Sequence, residues 1–333
     1  ARPGVNLPIY LNDEVVGVVG ITGEPEEVKP FGELLRISVE TMLTQTFLTE
    51  QLRMEQNAKE FFIDDIISGD LDKDLNMFVS RGKILGFDMT LNRIAIVIKL
   101  YDMEGNHLKK NKKLLLSQQR RELVLRKLQN SFTNPQNMMS YKGSDNFVMF
   151  YVIDSLEYED FKAQILRDVE SFEKAFKKSS LKYRIGVGCF YPEITGLRKS
   201  YKEAVKTITL CDMIYRDAPD RNVVFAYDLA LETMLASLPD HIYHAYSYKI
   251  MAKSSNKDLL SQDKLIRTLN AFFDNNLNST LAAESLDITR NTMNNRLNTI
   301  KNITYLDPKN FNDAIKLKVL IALNEIKEFF NQS

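Results

Sequence analysis

Between Thr289 and Lys301 the chain sets Arg290, Arg296 and Lys301 among Asn291, Asn294, Asn295 and Asn298, with no acid in the run. Arginine and asparagine carry paired donors and acceptors that match the major-groove edges of guanine and adenine, and Thr292 adds a hydroxyl able to meet a base or a phosphate. The chemistry these types allow is hydrogen bonding to nucleic-acid bases. The alternative is a helix pair inside an all-helical bundle, its asparagines merely solvated. No nucleophile constellation, phosphate loop or metal-ligand cluster competes elsewhere, so no catalytic residue, metal or cofactor is assigned. Gly186-Val187-Gly188 lacks the rest of a dinucleotide fingerprint and reads as packing. His241 and His244 share one helical face without a third ligand, and read as surface residues.

Two short helices joined by a tight turn would position these side chains. The first starts from Asn278 or Ser279 as N-cap, runs through Leu281, Ala282 and Leu286 and ends near Asp287, its alanines small enough for close contact. The second has Thr289 as N-cap, and Ile288 and Met293 at the positions of a hydrophobic staple. Met293, Leu297 and Ile300 recur at i, i+4 and i+7, which buries one stripe and turns the polar residues outward. Ser261 to Asn275 precedes the pair, with Leu265, Leu269, Phe272 and Phe273 facing inward. Phe311 to Phe330, holding Ile315, Val319, Ala322 and Ile326, closes the bundle from behind.

The chain has 333 residues, which sets a prior of two or three domains. Lysine plus arginine equals aspartate plus glutamate at 44 each, so nucleic-acid affinity must come from a local patch rather than a global field. Two cysteines, Cys189 and Cys211, are too few for a disulfide scaffold and suit a reducing cytoplasm as core fillers. No apolar run approaches a membrane span and no signal peptide opens the chain, so a cytoplasmic protein without membrane contact is expected.

From the start, Val5 to Leu11 and Val15 to Ile21 read as a hairpin turned at Asn12 and Asp13, a ribbon marginal alone and expected to have lost upstream strands. A helical pattern follows from about Pro30 to Ile67 through Leu35, Val39, Met42, Leu48, Leu52, Phe62 and Ile66. It reads either as packed on its own domain or as a connecting helix that also dimerises, and we favour the second. Arg93 to Asp102 is then a buried strand. Asn111 to Asn130 is a helix through Leu115, Leu116, Leu123, Leu125 and Leu128. Met138 to Tyr141 and Phe147 to Ile153 are strands, Tyr158 to Phe176 a helix, Tyr183 to Cys189 a strand, Leu197 to Leu210 a helix and Val223 to Phe225 a closing strand. Asp228 to Leu238 and His241 to Met251 add helices. The β-α-β-β-α-β order is the ferredoxin-like arrangement.

The run ITRNTMNNRLNTIKNIT resembles the C-terminal helix-turn-helix of the carbohydrate diacid and purine catabolism regulators, through Arg290, Asn291, Thr292, Arg296, Leu297 and Ile300, preceded by Ala282 and Leu286. It departs at Asn294 and Asn295, where arginine or tyrosine is usual, and at Tyr305, where glycine is common. Pro3 to Ile9 and Gly20 to Arg36 resemble the end of the sugar-diacid recognition domain. That resemblance implies a dicarboxylate sugar acid such as glucarate or galactarate as effector, with Arg2, Asn6 and Thr22 as polar groups able to contact it. Gly143 to Phe147, GSDNF, resembles a decayed GGDEF loop of the diguanylate cyclases. Ser144 and Asn146 replace the second glycine and the second acid, and Asp102 and Asp145 are too few for a two-metal site.

The expected fold is α+β and multidomain. Residues 1–70 are the end of a PAS/GAF-like sensor with its connecting helix, 71–228 a degenerate GGDEF-like domain of ferredoxin-like fold, and 229–333 an all-α helix-turn-helix domain. The resemblance implies a non-enzymatic activator of sugar-diacid catabolic genes. In a homodimer, effector binding would alter the long helix and reposition the reading heads on double-stranded DNA. The rival readings are a nucleotide-signalling enzyme or receptor in the middle domain, and a helix-turn-helix that serves protein contact.

Overall fold

The computed structural model describes residues 3–69, 75–101, 114–143, 145–176, 182–214, 222–239, 241–242, 245, 259 and 262–330, with backbone alone at 114–120 and 327–330. The chain divides into two compact units, 1–89 and 90–333.

In the first unit, β1 (Gly4–Leu11) and β2 (Glu14–Thr22) pair antiparallel, with a register shift at Ile9/Tyr10. Asn12 and Asp13 both take positive φ, 51° and 66°, as the tight hairpin turn requires. Helix α1 (Pro25–Ser68) begins five residues before the sequence expectation, because Pro25 at the first turn already has helical φ. Pro30 is carried inside the helix at the loss of one backbone hydrogen bond. Gly32 lets α1 lie against Leu7 and Ile21 of the ribbon. A helix absent from the sequence reading, α2 (Leu75–Ile84), packs on the other end of α1. There Phe62, Phe78 and Phe87 cluster, and Arg81 lies over two of the rings while bonding Asp65 at 2.9 Å. Met77, Val79 and Ile84 of α2 are exposed, which is why no amphipathic period announced it. Of the residues that marked α1 in the sequence, Phe62 and Ile66 are buried, whereas Leu35, Met42, Leu48 and Leu52 are exposed.

The second unit holds one five-stranded sheet: β3 (Arg93–Tyr101), β4 (Met138–Tyr141), β5 (Asn146–Val152), β6 (Lys182–Val187) and β7 (Val223–Phe225). Their spatial order is β4-β5-β3-β6-β7, antiparallel except that β7 joins β6 in parallel. Central β3 is apolar on both faces because both are covered. Ile94, Ile96, Ile98 and Leu100 meet α3 (Leu114–Ser131) and α4 (Tyr158–Phe176), through Val124, Leu128, Phe161, Ile165 and Phe172. On α3 the core residue is Val124, while the expected Leu123 is exposed; Leu115 and Leu116 lie in the backbone-only stretch.

The opposite face takes α5 (Glu193–Ile214). A Cβ on Gly188 would stand 2.0 Å from the Ser200 carbonyl oxygen, and one on Gly186 2.5 Å from that of Ala204. The two glycines therefore serve close helix packing, as the sequence reading held. A 3-10 turn, Ala226–Leu229, leads into the short helix α6 (Ala230–Leu235). The expected helix after His241 lies almost wholly outside the described residues; His241 is exposed, and His244 is outside them.

Four helices end the chain: α7 (Asp263–Asp274), α8 (Ser279–Ser285), α9 (Arg290–Thr304) and α10 (Phe311–Phe330). Helix α10 belongs to two cores. Leu317, Leu320 and Ile321 join the four-helix cluster, and Ala322, Leu323 and Ile326 join Leu210, Cys211, Val224 and Leu229 of the sheet domain. Ile315, expected inside, is exposed, because the buried stripe runs through Ala314, Leu317 and Ile321.

Candidate nucleic-acid interface

Helices α8 and α9 are built by local chemistry. Asn278 caps α8 by accepting from the backbone N–H groups of Thr280 and Leu281. Ala282 and Ala283 are buried where α8 meets its neighbours. Four residues, 286–289, make the turn, with Asp287 in the left-handed region at φ 51° and the Ile288 N–H donating to the Ala283 carbonyl at 3.0 Å. Thr289 then caps α9 through Oγ1, which accepts from Thr292 N–H at 3.2 Å. Ile288 packs with Met293 in one cluster, as the staple requires. Tyr305 ends α9 in the left-handed conformation at φ 57°, the position where glycine is the ordinary choice.

Met293, Leu297 and Ile300 are fully buried, and so the polar residues fall on three outer faces. One flank faces the following loop. There Asn294 accepts from Lys309 Nζ at 3.0 Å, and Lys301 bonds Asp307 at 2.7 Å. The Lys301 ammonium and the Lys309 backbone N–H hold the Asp307 carboxyl below its usual range. The other flank faces α7. Arg296 is partly buried, with Nη1 donating to Thr268 Oγ1 at 3.3 Å and Nε buried without a hydrogen-bond partner among the described residues. The guanidinium expected at the surface instead ties α9 to α7.

The outermost face carries Asn291, Asn295 and Asn298, and continues to Asn302, a residue the sequence reading passed over. All four are exposed, and no side-chain hydrogen bond engages them among the described residues. Their spacing of i, i+4, i+7 and i+11 was the available signal. Arg290 at the start of the helix is also exposed, and Thr292 lies half-buried beside its cap. The face is neutral to basic, since α9 contains no acid. It presents amide donors and acceptors to solvent on a rigid, capped helix.

The polar residues of the sheet domain are arranged differently. Asp212 accepts from Lys99 at 3.0 Å and from the Tyr101 hydroxyl at 2.7 Å, and pairs with Arg184. Glu203 accepts from the Cys189 N–H and the Tyr191 hydroxyl. Burial, with Glu203 beside it, pushes the Cys189 thiol up to about 12, far from a reactive thiolate. Neither cysteine is in a disulfide. In the GGDEF-like hairpin, Gly143 and Asp145 take positive φ, and Asn146 is already a strand residue opposite Lys99. Ser144 and Asp102 lie outside the described residues. No cluster of three metal-ligating side chains occurs among the described residues.

In the ribbon, Asn6 pairs with Gly20 and Gly4 with Thr22, which brings Asn6 and Thr22 to one exposed face, opposite the face that meets α1. Arg2 lies outside the described residues. No helix among the described residues is long and apolar enough to cross a membrane.

Three family models match the chain in sequence. They are a putative sugar diacid recognition model over residues 1–66, a GGDEF-like domain over 68–210, and the PucR C-terminal helix-turn-helix domain over 265–323. The chain is 27% identical over 327 residues to the carbohydrate diacid regulator of Escherichia coli (strain K12), covering 97% of this chain and 80% of that protein. It is 29% identical over 154 residues to the proline-responsive transcriptional activator PutR of Bacillus subtilis (strain 168), covering 46% of this chain and 37% of that one. A crystal structure of the regulator of polyketide synthase expression from Bifidobacterium adolescentis covers 81% of this chain and 93% of its own, at 15% identity and a TM-score of 0.34, too low a likeness to carry the fold.

Proposed function

We propose that this chain, which carries a sugar diacid recognition segment, a GGDEF-like domain and a PucR-type helix-turn-helix in that order, is an effector-responsive transcription regulator that binds double-stranded DNA through α9. The observation that carries the reading is the outer face of α9, a capped helix on which Arg290 and the Asn291, Asn295 and Asn298 amides make no side-chain hydrogen bond among the described residues. A helix of this kind, preceded by a short helix across a four-residue turn, is the element that enters the major groove. Arg290, Asn291, Thr292, Asn295 and Asn298 form the reading set. Asn294 and Lys301 stand at its edge, and Arg296 positions the helix from behind.

The finer reading has the protein working in the cytoplasm as a homodimer and activating sugar-diacid catabolic genes, with a glucarate- or galactarate-type acid as effector. The name of the Escherichia coli relative supports the diacid. Asn6 and Thr22 on the open face of the ribbon, with Arg2, would meet the effector. We read three domains, 1–70, 71–228 and 229–333, the middle one ferredoxin-like and non-catalytic, since Ser144 and Asn146 stand where a cyclase needs a glycine and an acid.

Genome-fragment selection with the purified chain, followed by fluorescence anisotropy over a salt series, tests the reading. Discrete enriched sites, with affinity falling steeply as salt rises, are expected. Binding without sequence preference, or none, would overturn it.

A further inference from the structure

The four asparagines of the outer stripe recur at 291, 295, 298 and 302, which at 100° per residue places them within an arc of about 60° on α9. Eleven residues at 1.5 Å make the stripe about 16 Å long, the rise of roughly five base pairs at 3.4 Å each. All four are exposed, and their side chains make no hydrogen bond among the described residues. Each amide offers a donor beside an acceptor. That pair matches adenine, whose N7 accepts and whose N6 amine donates on the major-groove edge.

Guanine presents two acceptors, N7 and O6, and is read by arginine or lysine. The cations of α9 are disposed away from the stripe. Arg296 is turned to Thr268 and Lys301 is held by Asp307, which leaves Arg290 at the first turn. Asn294 is set apart from the four, its side-chain oxygen already accepting from Lys309.

We propose that the Asn291, Asn295, Asn298 and Asn302 stripe reads adenines, so that each half-site recognised by this chain is an A·T-rich segment with guanine specified at most at its Arg290 end. The proposal rests on the DNA-binding reading of α9 and names the base class it selects.

The test is selection from random duplex DNA with the full chain, then binding to the winning sequence with single adenines replaced by 7-deazaadenine, which lacks the N7 acceptor. Adenine-rich half-sites are expected, with about tenfold weaker binding at each contacted adenine. In parallel, Asn295→Ala is expected to lower affinity for the selected site about tenfold and affinity for unrelated DNA by less, so that the ratio between the two narrows. Selected sites rich in G·C, or changes under about twofold on 7-deazaadenine replacement, would overturn the proposal while DNA binding by α9 stands. Failure to select any sequence would overturn both.

Discussion

The sheet domain and α9 spend their polar side chains in opposite ways. In the sheet domain the charged and hydroxyl groups find each other: Asp212 gathers Lys99, Tyr101 and Arg184, Glu203 gathers Tyr191 and the Cys189 N–H, and Asp168 takes the Tyr151 hydroxyl. Burial is the reason, because a polar group removed from water must be satisfied inside. On α9 the outer amides remain in water and owe nothing to the fold. Polar groups closed on each other hold a structure together, and polar groups left open are available to a ligand. The sheet domain thus closes these polar groups on one another, while the smaller helical bundle displays its amides outward.

Substitutions can break or sharpen this contrast. The largest effect is expected at Glu325 on α10, the helix shared by both cores. Burial raises its carboxyl to about 7, with Lys318, Glu232 and Asp274 the charged groups around it and Asn270 beside it. The folded state therefore holds this proton more tightly than the unfolded chain, where 4.5 is ordinary. Its stabilising contribution is complete below about pH 4.5 and is lost as pH rises through about 7. Glu325→Gln should remove that loss, so that unfolding free energies from urea titration match wild type at pH 4 and exceed it at pH 8 by up to roughly 3 kcal/mol. Parallel pH profiles for the two proteins would show that the group is not buried as described.

Asp212→Asn comes next. It leaves Lys99 and Arg184 without their carboxylate where all three side chains are at most about a quarter exposed, at a cost of roughly 2 kcal/mol in urea unfolding. Affinity for DNA should not change. A neutral result would mean that the sheet network is not closed as described and that the contrast with α9 fails from that side.

The smallest effect on stability is expected at Asn298→Ala. Since that amide has no internal partner among the described residues and alanine is the better helix former, unfolding should shift by less than about 0.5 kcal/mol, if anything upward. DNA affinity measured beside it should fall. A loss of stability above 1 kcal/mol would place the amide among the closed groups and remove it from the reading face.

Much of this was legible in the residues because it rests on local rules. The caps at Asn278 and Thr289, the buried stripe Met293, Leu297 and Ile300, the Asn12-Asp13 turn and the bounds of α4, β4, β7 and α10 follow from capping chemistry, turn conformation and periodicity, which need no distant partner. The same reading missed α2, placed Leu123 and Ile315 inside and put Arg296 at the surface. Those depend on what lies across from each residue.

Periodicity says that a helix has a buried stripe, but the neighbour decides where its edges fall. Val124 rather than Leu123 meets the sheet, and α10 needs two stripes because it joins two cores. Arg296 turns inward because Thr268 of α7, 28 residues earlier, offers a hydroxyl there. Residue types and spacing determined that α9 is a capped helix rich in amides. Only the tertiary contacts around it, with α7 and with the loop that carries Asp307 and Lys309, decided which of its polar side chains remain open, because a side chain is free for a ligand only when no tertiary contact has claimed it.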